Sequence, residues 1–139
     1  MIKGSLLSPK KVNNQFWYQG PWIACCLLIF FLSSLSTFPD ILSLGLPDKV
    51  HHTYLYAILG LLTFRALSRW SSPISKWSFL AAIAFGLLYG ASDEWHQNFV
   101  PHRTPDFFDW LADVAGTVLG VSIYWFYLKI KGTDYEVLR

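Results

Sequence analysis

Between Ser92 and Asp113 the chain reads Ser-Asp-Glu-Trp-His-Gln-Asn-Phe-Val-Pro-His-Arg-Thr-Pro-Asp-Phe-Phe-Asp-Trp-Leu-Ala-Asp. This stretch holds five of the nine acidic residues (Asp93, Glu94, Asp106, Asp109, Asp113), two of the four histidines (His96, His102) and Arg103. Carboxylates and imidazoles are the side chains that serve as general acids and bases. A guanidinium is a planar fork for a carboxylate or phosphate. A second polar motif lies upstream, with Asp48, Lys49, His51, His52 and Tyr56. Both motifs adjoin long apolar runs. Ionisable groups are expensive to keep in such surroundings, so they mark a functional site by default.

The elements that carry these groups are apolar and long. Hydrophobic residues make up 53% of the 139 and charged residues 14%, well under the roughly 25% charged of soluble domains. The first run goes from Trp22 to about Phe38, the second from Val50 to Leu67, the third from Trp77 to Ser92 and the fourth from Phe107 to Leu128. Such runs approach the length that crosses a ~30 Å hydrocarbon core at about 1.5 Å per residue. The expected fold is therefore all-α, an integral membrane bundle of four transmembrane helices. The division is a cytoplasmic segment over 1–20, the bundle over 21–128 and a cytoplasmic tail over 129–139. Lys3, Lys10, Lys11, Arg65, Arg69, Lys76, Lys129, Lys131 and Arg139 then share one side, against Lys49 and Arg103 on the other. The positive-inside rule makes both termini cytoplasmic. Trp17, Tyr18 and Trp22 read as an interface belt, as do Trp70, Tyr124, Trp125 and Tyr127. The basic residues form no continuous patch, which argues against a nucleic-acid partner. Cys25 and Cys26 are adjacent and apolar in context, suited to packing and not to a disulfide framework.

Helical spacing sorts the polar groups onto faces. Asp48, His52 and Tyr56 stack on the second helix, Gly86, Gly90, Glu94 and Gln97 on the third, and Asp109, Asp113, Gly116 and Gly120 on the fourth. Small residues let helix backbones approach closely. The glycine stripes run straight into the carboxylates, so the acids should point into the bundle, where the outer ends of helices two, three and four enclose a pocket. His51 and His102 are expected to be exposed, and His96 fits either an interface or the pocket.

These residues resemble the VanZ-like family of bacterial membrane proteins. The matching positions are Asp48, Lys49, His52, Tyr56 and Gly60, then Asp93, Glu94, Gln97 and Arg103, then Asp109. The chain departs from the family pattern at Asp113, where Asn is common, and at Thr53, where an aromatic is common. The family's founding member is linked to resistance to the glycopeptide teicoplanin. The resemblance implies the bacterial cytoplasmic membrane, the lipid bilayer as a partner and a tie to the cell envelope, with a lipid-linked wall precursor or a glycopeptide as ligand.

In that setting Arg103 and Lys49 would anchor a phosphate or carboxylate. Glu94 and His52 would be the acid/base pair. Gln97 and Tyr56 would orient the ligand, with Asp48, Asp93, Asp109 and Asp113 completing the site. A metal variant makes a divalent ion the cofactor and uses His52, Glu94, Asp109 and His96, since carboxylate and imidazole suit zinc or manganese. There is no His-Glu-x-x-His motif, serine nucleophile elbow or glycine-rich phosphate loop. The first alternative is a non-catalytic membrane interaction protein. The second is a charge network that only sets helix register, with Arg103 on Glu94 or Asp109 and His52 on Asp48 or Asp93.

Overall fold

A computed structural model describes residues 15–37, 45–68 and 75–131. Four helices and no strands occur among them: α1 (Gln15–Ser33), α2 (Asp48–Leu67), α3 (Lys76–Gln97) and α4 (Phe107–Ile130). Local chemistry fixes the starts. Ser75 caps α3, its hydroxyl accepting from the Trp77 N–H at 3.2 Å. Asp106 caps α4, its carboxylate accepting from the Phe108 N–H at 2.8 Å. Each satisfies one of the orphan amides of a first turn. Pro47 precedes α2 in an extended conformation, and Asp48 places a negative charge in its first turn, where the helix dipole favours it.

Two of these boundaries differ from the apolar runs. The first helix begins at Gln15, ahead of Trp22, and continues through Pro21. The third does not stop at Ser92 but runs on to Gln97, carrying Asp93, Glu94 and Gln97. Hydropathy reports what surrounds a helix, whereas the helix persists as long as its backbone bonds do. Phe38 lies outside the described residues.

Contacts at the helix ends show that sequence neighbours run antiparallel. At one end Arg65 sits over the Tyr18 ring, and Phe64 meets Phe79 and Tyr124 edge-on. At the other, the Ser34 hydroxyl lies 3.0 Å from His96 Nε2, and Lys49 reaches Asp109. The start of α1 and the finish of α4 therefore share an end. The closest pairing is α2 with α4, with α3 against both and α1 chiefly against α2.

Glycine makes that pairing possible. A Cβ at Gly120 would run into the Ala57 carbonyl, one at Gly116 into the Thr53 carbonyl, and one at Gly60 into the Thr117 backbone. Backbones thus touch without intervening side chains. The apolar core forms two clusters, one around Cys25, Ile29, Tyr56 and Leu59 and one around Phe64, Ala82, Val121 and Leu128. Cys25 is a free thiol packed in the first, the role expected of it.

The outside of the bundle is apolar on every helix: Phe16, Leu27 and Phe31 on α1, Val50 and Ile58 on α2, Leu80 and Leu88 on α3, Leu119, Ile123 and Phe126 on α4 all stand exposed. Two helices are long and apolar enough to cross a membrane, α1 over Phe16–Ser33 and α4 over Phe107–Ile130.

Candidate functional site

Antiparallel packing brings the finish of α1, the start of α2, the finish of α3 and the start of α4 to one end. A cavity of about 20 Å³ lies there, lined by Ile29, Leu32, Ser33, Asp48, His51, His52, Leu55, Tyr56, Asp93, Gln97 and Arg103. That is room for little more than a water or an ion. Its wall comes from α1, α2, α3 and the loop residue Arg103, so α1 lines the cavity where the fourth helix was expected to, and no α4 residue does. An apolar run carries no signal for such a role.

The deepest contact joins α2 to α4. His52 Nδ1 lies 2.8 Å from Asp113 Oδ1, and both residues are buried. The charge-network alternative paired His52 with Asp48 or Asp93. The structure chooses Asp113, because the glycine-mediated approach of α4 sets its second turn beside that of α2. A carboxylate on one ring nitrogen orients the imidazole. Asp113 is 0% exposed, and its second oxygen, Oδ2, has no hydrogen-bond partner among the described residues. The Tyr56 hydroxyl, on a residue 1% exposed, has none either.

Nearer the surface, Lys49 Nζ donates to Asp106 Oδ2 and to Asp109 Oδ1, each at 2.7 Å. Both Lys49 and Asp106 lie outside the apolar runs. The Lys49 ammonium, and then the Phe108 N–H, hold the Asp106 carboxyl below the usual range. The same hydrogen bonds, Asp106 first and Asp109 second, push Lys49 up. Asp106 was absent from the expected site set, although an Asp immediately before an apolar run is a readable cap signal.

On α3, Glu94 Oε2 accepts from the Asp106 N–H at 2.9 Å, tying α3 to the loop before α4. Gln97 Nε2 makes only long contacts, 3.4 Å to both Asp93 Oδ2 and Glu94 Oε1. Asp93, Glu94 and Gln97 are all buried. Asp48, by contrast, is half exposed at the rim.

Three expectations need correction. Arg103 pairs with neither Glu94 nor Asp109 among the described residues. Its Nε donates to the Leu35 carbonyl at 3.0 Å, because Lys49 already occupies Asp109. His51 is not exposed; it is 4% exposed and lines the cavity, since α2 begins early enough to turn it inward. His96 does not reach the carboxylates; it bonds Ser34 and lies on the Phe30 ring with centroids 4.7 Å apart. His102 is exposed as expected, and its φ of 65° places it in the left-handed region.

Two groups of possible ligands emerge among the described residues, and neither is the expected set of His52, Glu94, Asp109 and His96. His52, Asp93, Glu94 and Asp113 each offer an atom within 4.8 Å of the others. Asp48, His52 and Asp109 form a second, more exposed group.

No solved structure matches the chain. It is similar to an uncharacterized protein of Schizosaccharomyces pombe, 26% identical over 109 residues, which cover 77% of this chain and 64% of that protein. The chain thus spans somewhat less than two thirds of that relative. The VanZ/LLP1 family model matches residues 6–128, which take in the polar end of the bundle, all of α1 to α3 and nearly all of α4, and the chain belongs to the VanZ/LLP1 family.

Proposed function

We propose that this is a multi-pass protein of the bacterial cytoplasmic membrane, with four spans and both termini inside. On this reading the polar end faces outward and binds a cell-envelope ligand through an anionic group. Burial supports the membrane reading. Among the described residues, as many polar or charged side chains as apolar ones are buried, while large apolar ones cover the outside. A soluble fold would distribute them the other way. Helices α2 and α3, with 20 and 22 residues, are long enough to span. What lowers their apolarity is largely what they turn inward: His51, His52, Asp93, Glu94 and Gln97.

The observation that carries the binding reading is Arg103. Its guanidinium stands at the cavity wall and uses Nε on a backbone carbonyl. Among the described residues neither terminal nitrogen has a hydrogen-bond partner, which leaves both for a phosphate or carboxylate. The cavity is too small to enclose such a ligand, so the anionic group docks at its mouth. Glu94 and His52 lie beneath it as the acid/base pair. The ligand class is a lipid-linked wall precursor or a glycopeptide, in keeping with the family's link to teicoplanin resistance.

The rival reading is a network that only sets register, and the Lys49–Asp106–Asp109 clamp and the His52–Asp113 pair favour it. It leaves Arg103 unexplained. The test expresses wild type, Glu94→Gln and Arg103→Gln at matched membrane levels in a sensitive host and measures teicoplanin susceptibility. Protection by wild type and its loss in both variants supports a ligand site. Equal protection by all three defeats it, and variants missing from the membrane favour the network. Altered wall precursors would indicate chemistry, and unchanged precursors with protection would indicate binding alone.

A further inference from the structure

We infer that His52, Asp93, Glu94 and Asp113 bind one divalent transition-metal cation, of the manganese or zinc type, beneath the mouth of the pocket. The inference rests on the reading of this end of the bundle as a ligand pocket, and it names what lies at the floor; with the ion bound, Glu94 and His52 serve as its ligands in place of the acid/base pair. All four residues are buried, and one donor atom from each lies within 4.8 Å of the others. Metal–ligand bonds of about 2.0–2.2 Å place donors about 3.3–3.6 Å apart around a tetrahedral ion and about 4 Å apart across an octahedral one, so the four donors draw together when the ion binds.

Charge supplies the reason for a cation. Three carboxylates surround one imidazole, and even a protonated His52 neutralises only one of them. The nearby cations form no ion pair with these carboxylates among the described residues: Lys49 is held by Asp106 and Asp109, and Arg103 turns its Nε to the Leu35 carbonyl. Buried charges need a partner or a metal.

Two unpartnered groups point to a ligand independently of the cluster's composition. Asp113 Oδ2 is buried without a hydrogen bond, on a residue with no exposure. The Tyr56 hydroxyl is likewise unpartnered and lines the cavity together with His52 and Asp93. A bound ion would engage the first, and water on that ion would engage the second. Three oxygens and one nitrogen are a donor set for manganese or zinc, not for a soft, thiolate-seeking metal.

The test uses purified full-length protein in detergent and Mn²⁺ alone, followed by electron paramagnetic resonance with Zn²⁺ as competitor. Wild type should bind one Mn²⁺ per chain with a nitrogen coupling from His52, and Zn²⁺ should displace it. Asp93→Asn and Glu94→Gln should each weaken binding by about 10-fold or more. Glu136→Gln, a carboxylate at the far end of the sequence, should not. Wild type that binds neither ion, or binds Mn²⁺ with no nitrogen coupling, overturns the inference. So does binding lost with Glu136→Gln and kept in Asp93→Asn. Should the variants fail to fold, the wild-type spectrum decides alone. Protection against teicoplanin without metal binding would sink this inference and spare the pocket reading; metal binding without protection would do the reverse.

Discussion

Lys49 holds two carboxylates at once, and through them it sets the start of α2 against the start of α4. Asp106 titrates low because the Lys49 ammonium and then the Phe108 amide donate to it. A carboxylate whose native value is lowered stabilises the fold above the ordinary value of about 3.9. That contribution fades as pH falls through the lower native value. Replacing Lys49 with Met should therefore move the Asp106 midpoint upward, toward about 3.9, as read by carboxyl carbon NMR in micelles. An unmoved midpoint would assign the whole effect to the Phe108 amide. Stability should fall as well, because the same substitution leaves the buried Asp109 carboxylate without its ammonium partner. At this scale the sequence was legible in part. Spacing by four correctly gathered Asp48, His52 and Tyr56 on the cavity side. It could not say that His52 meets Asp113 or that Lys49 pre-empts Arg103 at Asp109. Periodicity orients a side chain about its own helix axis and leaves the register between helices open.

Register is the property of the helix pair, and the glycines set it. At Gly120 an added methyl would meet the Ala57 carbonyl oxygen, then its carbon, then the Leu61 nitrogen. All three are backbone atoms of α2, which cannot swing aside as a side chain does. Gly120→Ala should push α2 and α4 apart and cost about 1–3 kcal/mol, the range for overpacking a filled core. Gly20 provides the control: a methyl there meets only the Phe16 ring, at 3.9 Å, so Gly20→Ala should be neutral or stabilise α1 by up to about 1 kcal/mol. Reversible unfolding in bicelles compares the two. If Gly120→Ala unfolds with wild type, α2 and α4 are not held in backbone contact. The four runs were readable from their length and apolarity, and the glycine stripes from the 3.6-residue period, which also carried Glu94 and Gln97 onto α3 past the end of its apolar run. The start of α1 at Gln15 was not readable, since the residues ahead of Trp22 include polar ones and Pro21.

For the molecule as a whole, the open question is how many helices cross the bilayer. Among the described residues only α1 and α4 are apolar enough to qualify on composition, and a two-span protein would leave α2 and α3 together on the outer side. Both arrangements put the turn after α3 outside and the finish of α4 inside, so labelling there does not separate them. The start of α3 does. With four spans Trp77, exposed at the first turn of α3, faces the cytoplasm; with two it lies outside. Four spans fit better physically. The exposed apolar residues of α2 and α3, Val50, Ile58, Leu80 and Leu88 among them, would otherwise face water, at roughly 25 cal/mol for each Å² of apolar surface left unburied. In a background with Cys25→Ser and Cys26→Ser, Trp77→Cys should resist a membrane-impermeant maleimide in intact cells and react after permeabilisation. Asn98→Cys, beside the polar pocket, should react in both. Labelling of Trp77→Cys from outside would reduce the spans to two. It would leave the pocket assembled but place it in water, where its buried carboxylates would need no membrane to explain them.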